Sequence, residues 1–256
     1  MKNGFSLVEL SIVLVILGLL IGGVLTGQNL IKAAELRSVT EEYKNYQTAV
    51  NIFRDKYLAM PGDMINAGKF WGYANTGGAG GICAAPATNT GTSPLTCDGN
   101  GSGSLDQQYE MFRFWQHLAN AGLIEGQYTG VTGGGGAAHH VPGTNSPRSK
   151  LSPGSWAIGY IGVHAGNATT FAHNYGHMGY YGAPTTTSAP TTALLAPEDV
   201  WNIDMKMDDG MPGVGNLIVY PWTTCSLAAS QTDYAAAYKL TSTTKDCILY
   251  FASMIR

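Results

Sequence analysis

The N-terminus reads Met1-Lys2-Asn3-Gly4-Phe5-Ser6-Leu7-Val8-Glu9-Leu10, and from Leu10 to Leu25 only Ser11 is polar. Counted from Phe5, the apolar stretch is about 21 residues long, enough to cross a bilayer as a helix. A secretory signal peptide would need a shorter apolar core and a small-residue cleavage site, which Gly22-Gly23-Val24-Leu25-Thr26-Gly27 imitates. An inert membrane anchor satisfies the hydropathy equally well. Neither has a use for Glu9. A carboxylate in hydrocarbon costs roughly a few kcal/mol, so such a residue normally has a partner and a task.

Cleavage after Gly4 would supply the partner. It gives Phe5 a free, positively charged α-amine, which Glu9 of a neighbouring subunit neutralises inside an apolar filament core. On this reading the ion pair forms only on assembly and favours correct docking and axial stagger. The run Lys2-Asn3-Gly4-Phe5-Ser6-Leu7-Val8-Glu9-Leu10 resembles the class III leader of type IV prepilins and type II secretion pseudopilins. The resemblance implies that a membrane prepilin peptidase cuts between Gly4 and Phe5 and N-methylates Phe5. It implies that Glu9 is the assembly residue. The implied partners are identical or homologous pilin subunits in a helical homopolymer, with an inner-membrane assembly platform. One departure stands out. Many major pilins carry a proline near the position of Thr26, where the helix melts on assembly; here Gly22, Gly23 and Gly27 are the local weak points.

Beyond the apolar stretch, Leu36, Val39, Tyr43, Tyr46, Val50, Phe53 and Tyr57 recur at spacings of three and four, which is one helical face. Arg37, Glu41, Glu42, Lys44, Arg54 and Asp55 lie between them. No proline interrupts until Pro61. We read one helix over 5–58, with 5–27 as membrane span and filament core and 28–58 amphipathic, between a 1–4 leader and a 59–256 head. The aromatic stripe is read as core against that head rather than as an electron-transfer path.

The head opens with Met60-Pro61-Gly62-Asp63, and this turn cluster resembles one subgroup of bacterial prepilin-like proteins. The segments Phe114–Gly126 and Ile203-Asp204-Met205-Lys206-Met207-Asp208-Asp209-Gly210-Met211-Pro212 resemble the same subgroup. Ser104 with Gln107 predicts a capped second helix, ending with Gly122 at its C′ position. Strands are expected at 155–164, 216–220 and 247–252. The fold class is therefore α+β: a long N-terminal hydrophobic helix packed on a small antiparallel sheet in a loop-rich head, the type IV pilin fold. Pro197 begins a short helix ending near Gly210. This puts Asp208 and Asp209 at its negative end, where each is unfavourable by roughly 0.3–1 kcal/mol. Lys206, a nest of backbone amides or calcium would offset that. Calcium on Asp204, Asp208 and Asp209 is the one cofactor the sequence raises, and major pseudopilins resemble this in binding calcium in the head.

The rest of the chemistry is sparse. Asp98-Gly99-Asn100-Gly101 hints at a cation loop without EF-hand spacing. His173 and His177 have metal-ligand spacing, but Gly176 and Gly179 argue against a helix to present them. No GxSxG, HExxH or nucleotide loop occurs, so no enzyme is expected. Charged residues make up only 12%, and the net charge of −3 offers nucleic acid no basic field. Cys83, Cys97, Cys225 and Cys247 lack CxxC spacing; in an exported chain they suggest disulfides, with Cys83–Cys97 and Cys225–Cys247 favoured by proximity. Four buried thiols are the alternative. Thr185 to Thr192 is a Thr/Pro loop, read as an exposed linker with room for O-linked sugars. The expected function is a structural subunit of a type IV pilus-like filament. The alternatives are a type II secretion pseudopilin or a minor tip pilin acting in adhesion. The precursor is expected in the cytoplasmic membrane, Lys2 inside and the head outside, and the product in an extracellular filament or periplasmic pseudopilus.

Overall fold

The computed structural model describes residues 6–74, 94–105, 109–252 and 254–255. Helix α1 runs from Leu7 to Tyr57, 51 residues or about 77 Å at 1.5 Å per residue. It continues unbroken through Gly22, Gly23 and Gly27, and the Thr26 hydroxyl donates back to the Gly22 carbonyl at 2.9 Å. Ser6 is its N-cap and Leu58 its C-cap.

The two halves of α1 have different surroundings. Residues 6–26 are all exposed, and this half is long and apolar enough to cross a membrane. From Leu36 onward one face is covered by the head: Leu36, Val39, Tyr43, Val50 and Phe53 are buried, with Tyr46 and Tyr57 packed at the margin. The aromatic stripe is core. Tyr43 stacks on Phe251 at 4.4 Å, and Tyr46 meets Trp115 and Trp156 edge-on at 5.1 and 5.5 Å. Such pairs add about 0.5–1.5 kcal/mol each beyond the area they bury.

After α1 come a short helix α2 (Ala67–Trp71) and α3 (Glu110–Asn120). Strands β1 (Ser155–Tyr160), β2 (Val163–His164), β3 (His173–Asn174) and β4 (His177–Gly182) follow. Helix α4 (Pro197–Met207), β5 (Leu217–Tyr220), α5 (Trp222–Cys225) and β6 (Ile248–Phe251) complete the order. The main sheet is antiparallel with strand order β1-β4-β6-β5, and β2 and β3 form a separate hairpin.

Three expectations need correction. The predicted strand over 155–164 divides at Gly162, whose φ of +65° turns the chain away, and both Ile161 and Gly162 donate to the Gly176 carbonyl. Helix α3 starts at Glu110 with Tyr109 as N-cap, not at Ser104; Gln107 lies outside the described residues. Ser104 instead closes a local turn with Ser102. That loop is held open by Asp63, which accepts from the amides of Ser102 and Gly103, and by Glu110, which accepts from that of Asn100. The far end of α3 does follow the sequence: Gly122 (φ +70°) and Leu123 donate to Ala119 and Leu118 in a Schellman closure. Third, the sheet holds a strand beyond the three expected, β4, which lies between β1 and β6. Its glycines are packing devices. A Cβ on Gly179 would lie 2.5 Å from Met254 Sδ, and one on Gly182 would lie 2.4 Å from the Pro190 carbonyl.

Glu42, which lies between the apolar positions of the stripe, is itself buried. Its carboxylate accepts from the Trp156 indole at 2.6 Å and from the Lys150 amide at 2.7 Å. Glu42→Ala should leave two donors unsatisfied in the seam between α1 and the sheet. We expect a loss of about 3 kcal/mol, read as a lower denaturant midpoint of the detergent-solubilised chain, with Glu42→Gln falling in between.

Candidate functional site

The first candidate is the N-terminus of α1. Gly4 and Phe5 lie outside the described residues. Glu9 is at the third position of the helix, and its carboxylate accepts from the Ser6 amide at 2.8 Å, while Ser6 Oγ accepts from the Val8 amide at 3.3 Å. This is a capping box. Within a single chain, then, Glu9 already has a partner, so its pairing is not confined to assembly. Pairing with a neighbour's amine would compete with this cap or share the same carboxylate.

That helix start lies inside a longer recognisable pattern. Residues 1–25 match the family model of the prokaryotic N-terminal methylation motif. The chain carries the class III leader of type IV prepilins and pseudopilins. No curated protein and no solved structure matches it. The chain thus joins a methylation motif to an exposed apolar helix long enough to cross a membrane.

A second candidate is the acidic turn after α4. The structure brings together Asp204, Asp208 and Asp209, with one carboxylate oxygen of each within 4.8 Å of the others. Asp208 is the helix C-cap and accepts from the amides of Asn216 and Leu217 and from the Asn216 side chain. Asp209 accepts from the Met211 amide at 2.8 Å. Backbone amides therefore offset the unfavourable helix-end charge. Gly215 is obligatory here: its φ is +78°, and a Cβ would meet Asp208 Oδ2 at 2.0 Å. Asp204 is fully buried. Its Oδ2 accepts from the Tyr238 hydroxyl at 2.6 Å, whereas Oδ1 has no hydrogen-bond partner. Burial pushes the Asp204 carboxyl up to about 7, against the pull of the Tyr238 hydrogen bond, and the charges of Asp209 and Asp208 add to the rise.

The cysteines divide between described and undescribed segments. Cys225 and Cys247 form a disulfide with Cα atoms 5.6 Å apart, tying α5 to the start of β6. Cys97 is buried and disulfide-bonded. Cys83, its expected partner, lies outside the described residues.

Other signals have structural roles. Asp98 of the suspected cation loop accepts from the Gly68 amide at 2.8 Å and from the Tyr73 hydroxyl at 3.2 Å. His173 and His177 sit on different strands, against Tyr175 and Tyr160. Thr185 is folded into a turn by Ser188, leaving Thr186 and Thr187 exposed. His117 is fully buried: Nδ1 accepts from the Gly62 amide at 3.0 Å and Nε2 faces Thr96 Oγ1 at 3.0 Å. Gly62 (φ +86°) belongs to the Met60–Asp63 turn, and a Cβ there would strike the Glu110 carbonyl at 2.4 Å. This cluster docks the end of α1 on α3, a purpose the motif alone did not disclose.

Burial, helped by the Arg113 charge, pushes His117 down to about 3, and burial pushes His140 down to about 4. The unfolded chain takes up these protons near pH 6.5, so below that value it binds more protons than the folded chain. Stability should fall as pH drops from about 6.5 toward 4, by up to about 1.4 kcal/mol per pH unit for each ring. Asp204, with its raised carboxyl, works in the opposite direction over the same window and offsets one of the two. Denaturant melts at pH 7 and 4.5, with imidazole NMR signals remaining in the neutral form at pH 5, check this.

Proposed function

We propose that this chain is the structural subunit of an extracellular type IV pilus-like filament. Cleavage between Gly4 and Phe5 and N-methylation of Phe5 precede polymerisation through α1. The observation that carries this reading is the division of α1. About its first half is apolar and uncovered, begins at a methylation motif and holds one carboxylate, Glu9; the second half is the spine of the head. A helix clothed along only half its length needs either lipid or copies of itself around the rest. The precursor sits in the cytoplasmic membrane with the head outside, and the assembly platform draws it into the filament. The intact mass and N-terminal peptide of the chain from producing cells test this. A start at N-methylated Phe5, with four hydrogens missing from the cysteines, is expected. Glu9→Ala should be processed normally yet yield no filaments. A chain still starting at Met1, in a host that processes other prepilins, would sink the proposal.

We further propose that Asp204, Asp208 and Asp209 hold calcium. The buried, unpartnered Asp204 Oδ1 supports this, since a hard cation would supply the charge and ligation that this oxygen lacks. Millimolar calcium chloride should raise the melting temperature by several degrees, and Asp209→Asn should abolish the rise. An unchanged melting temperature in the unsubstituted chain refutes it.

A further inference from the structure

The head carries an exposed apolar knob and an open cleft floored by core leucines, at opposite ends of the stretch of α1 that it covers. At the far end, Leu58 is 91% exposed and Ile65 65% exposed, and both border a recess of about 840 Å³ with Asn51, Arg54 and Asp55. Leu58 holds a left-handed conformation (φ +52°), the one non-glycine residue with positive φ among the described residues. Glycine would sit there without strain, whereas a leucine pays for its Cβ. Its side chain touches almost nothing in its own chain, so the fold gains nothing from the leucine.

At the near end, where α1 leaves the head, a cleft of about 400 Å³ is bordered by Ile31, Leu36, Leu151, Leu194 and Leu195. Glu35 and Lys245 border it as well. Asp55 at one end and Lys245 at the other are exposed, and neither belongs to an ion pair among the described residues. The protruding side chains thus stand beside Asp55 and Arg54, and the cleft beside Lys245 and Glu35, so the two ends match charge for charge.

We propose that Leu58 and Ile65 of one copy dock into the Ile31–Leu151–Leu194 cleft of a second copy, with Asp55 paired to Lys245. This rests on the filament reading and deepens it by naming the surfaces that mate. The contact is head-to-tail, so it extends along the helix axis and does not close into a dimer. Ile31 and Leu58 are 27 residues apart on one continuous helix. Copies joined this way are therefore displaced by about 40 Å along the axis.

The test compares filaments sheared from cells producing the full-length chain and its variants at equal membrane pools. Leu58→Gly relieves the backbone, so its melting temperature should be unchanged or higher, while filament yield should drop at least tenfold. Asp55→Lys and Lys245→Asp should each lower the yield, and the double variant should recover it. Cryo-EM of unsubstituted filaments should place Leu58 in the cleft of a copy about 40 Å away. Full yield from Leu58→Gly, or no recovery in the double variant, overturns the contact while leaving the filament reading intact. No filament from the unsubstituted chain, correctly processed, overturns both.

Discussion

The buried carboxylate of Glu42 sets how the helix sits on the head. Glu42 lies inside the seam between α1 and the sheet, forms no ion pair among the described residues, and is satisfied by an indole and a backbone amide. Both donors come from the segment that leads into and forms β1. This fixes the rotation of α1 about its own axis, because the carboxylate reaches its donors from one helical face only. Tyr43 and Tyr46 then fall on the sheet and α3, and Phe53 falls on the His117 cluster. Lower down, Lys32 reaches the buried Asp199 of α4 at 2.6 Å and marks the last polar tie before the helix becomes bare.

Much of this was legible in the sequence, for identifiable reasons. Helical period shows wherever one face is buried continuously, so the stripe from Leu36 to Tyr57 announced itself. The leader was legible because a lone glutamate in an apolar run has few explanations. Gly122 and Pro197 marked helix ends that the structure keeps, since each relieves a backbone constraint at its position. Strand β4 was illegible because it is built with glycines where neighbouring chains pass too close for a side chain, and that closeness is a tertiary fact. Glu42 was misjudged for a related reason: a charged residue on a helix is ordinarily solvated, and its donors are more than a hundred residues away.

The acidic turn shows how a motif can carry two messages. The sequence correctly gathered Asp204, Asp208 and Asp209, because helical spacing puts them at one end of α4. It could not divide their labour. Asp208 staples the end of α4 to the start of β5, Asp209 shapes the turn, and Asp204 is left with a buried oxygen that no hydrogen bond satisfies. Tyr238, which sets the environment of Asp204, comes from a loop 34 residues further on and carries no motif of its own.

The bare half of α1 has a consequence for how the molecule can travel. More than a dozen large apolar side chains between Leu7 and Ile31 are exposed, and hiding each is worth roughly 1.5–3 kcal/mol. Releasing them into water together would cost tens of kcal/mol, far beyond thermal energy. A lone chain dissolved in water is therefore not a populated species. For a helix seated in a bilayer, any release would have to be to an equally oily surface already in contact with it.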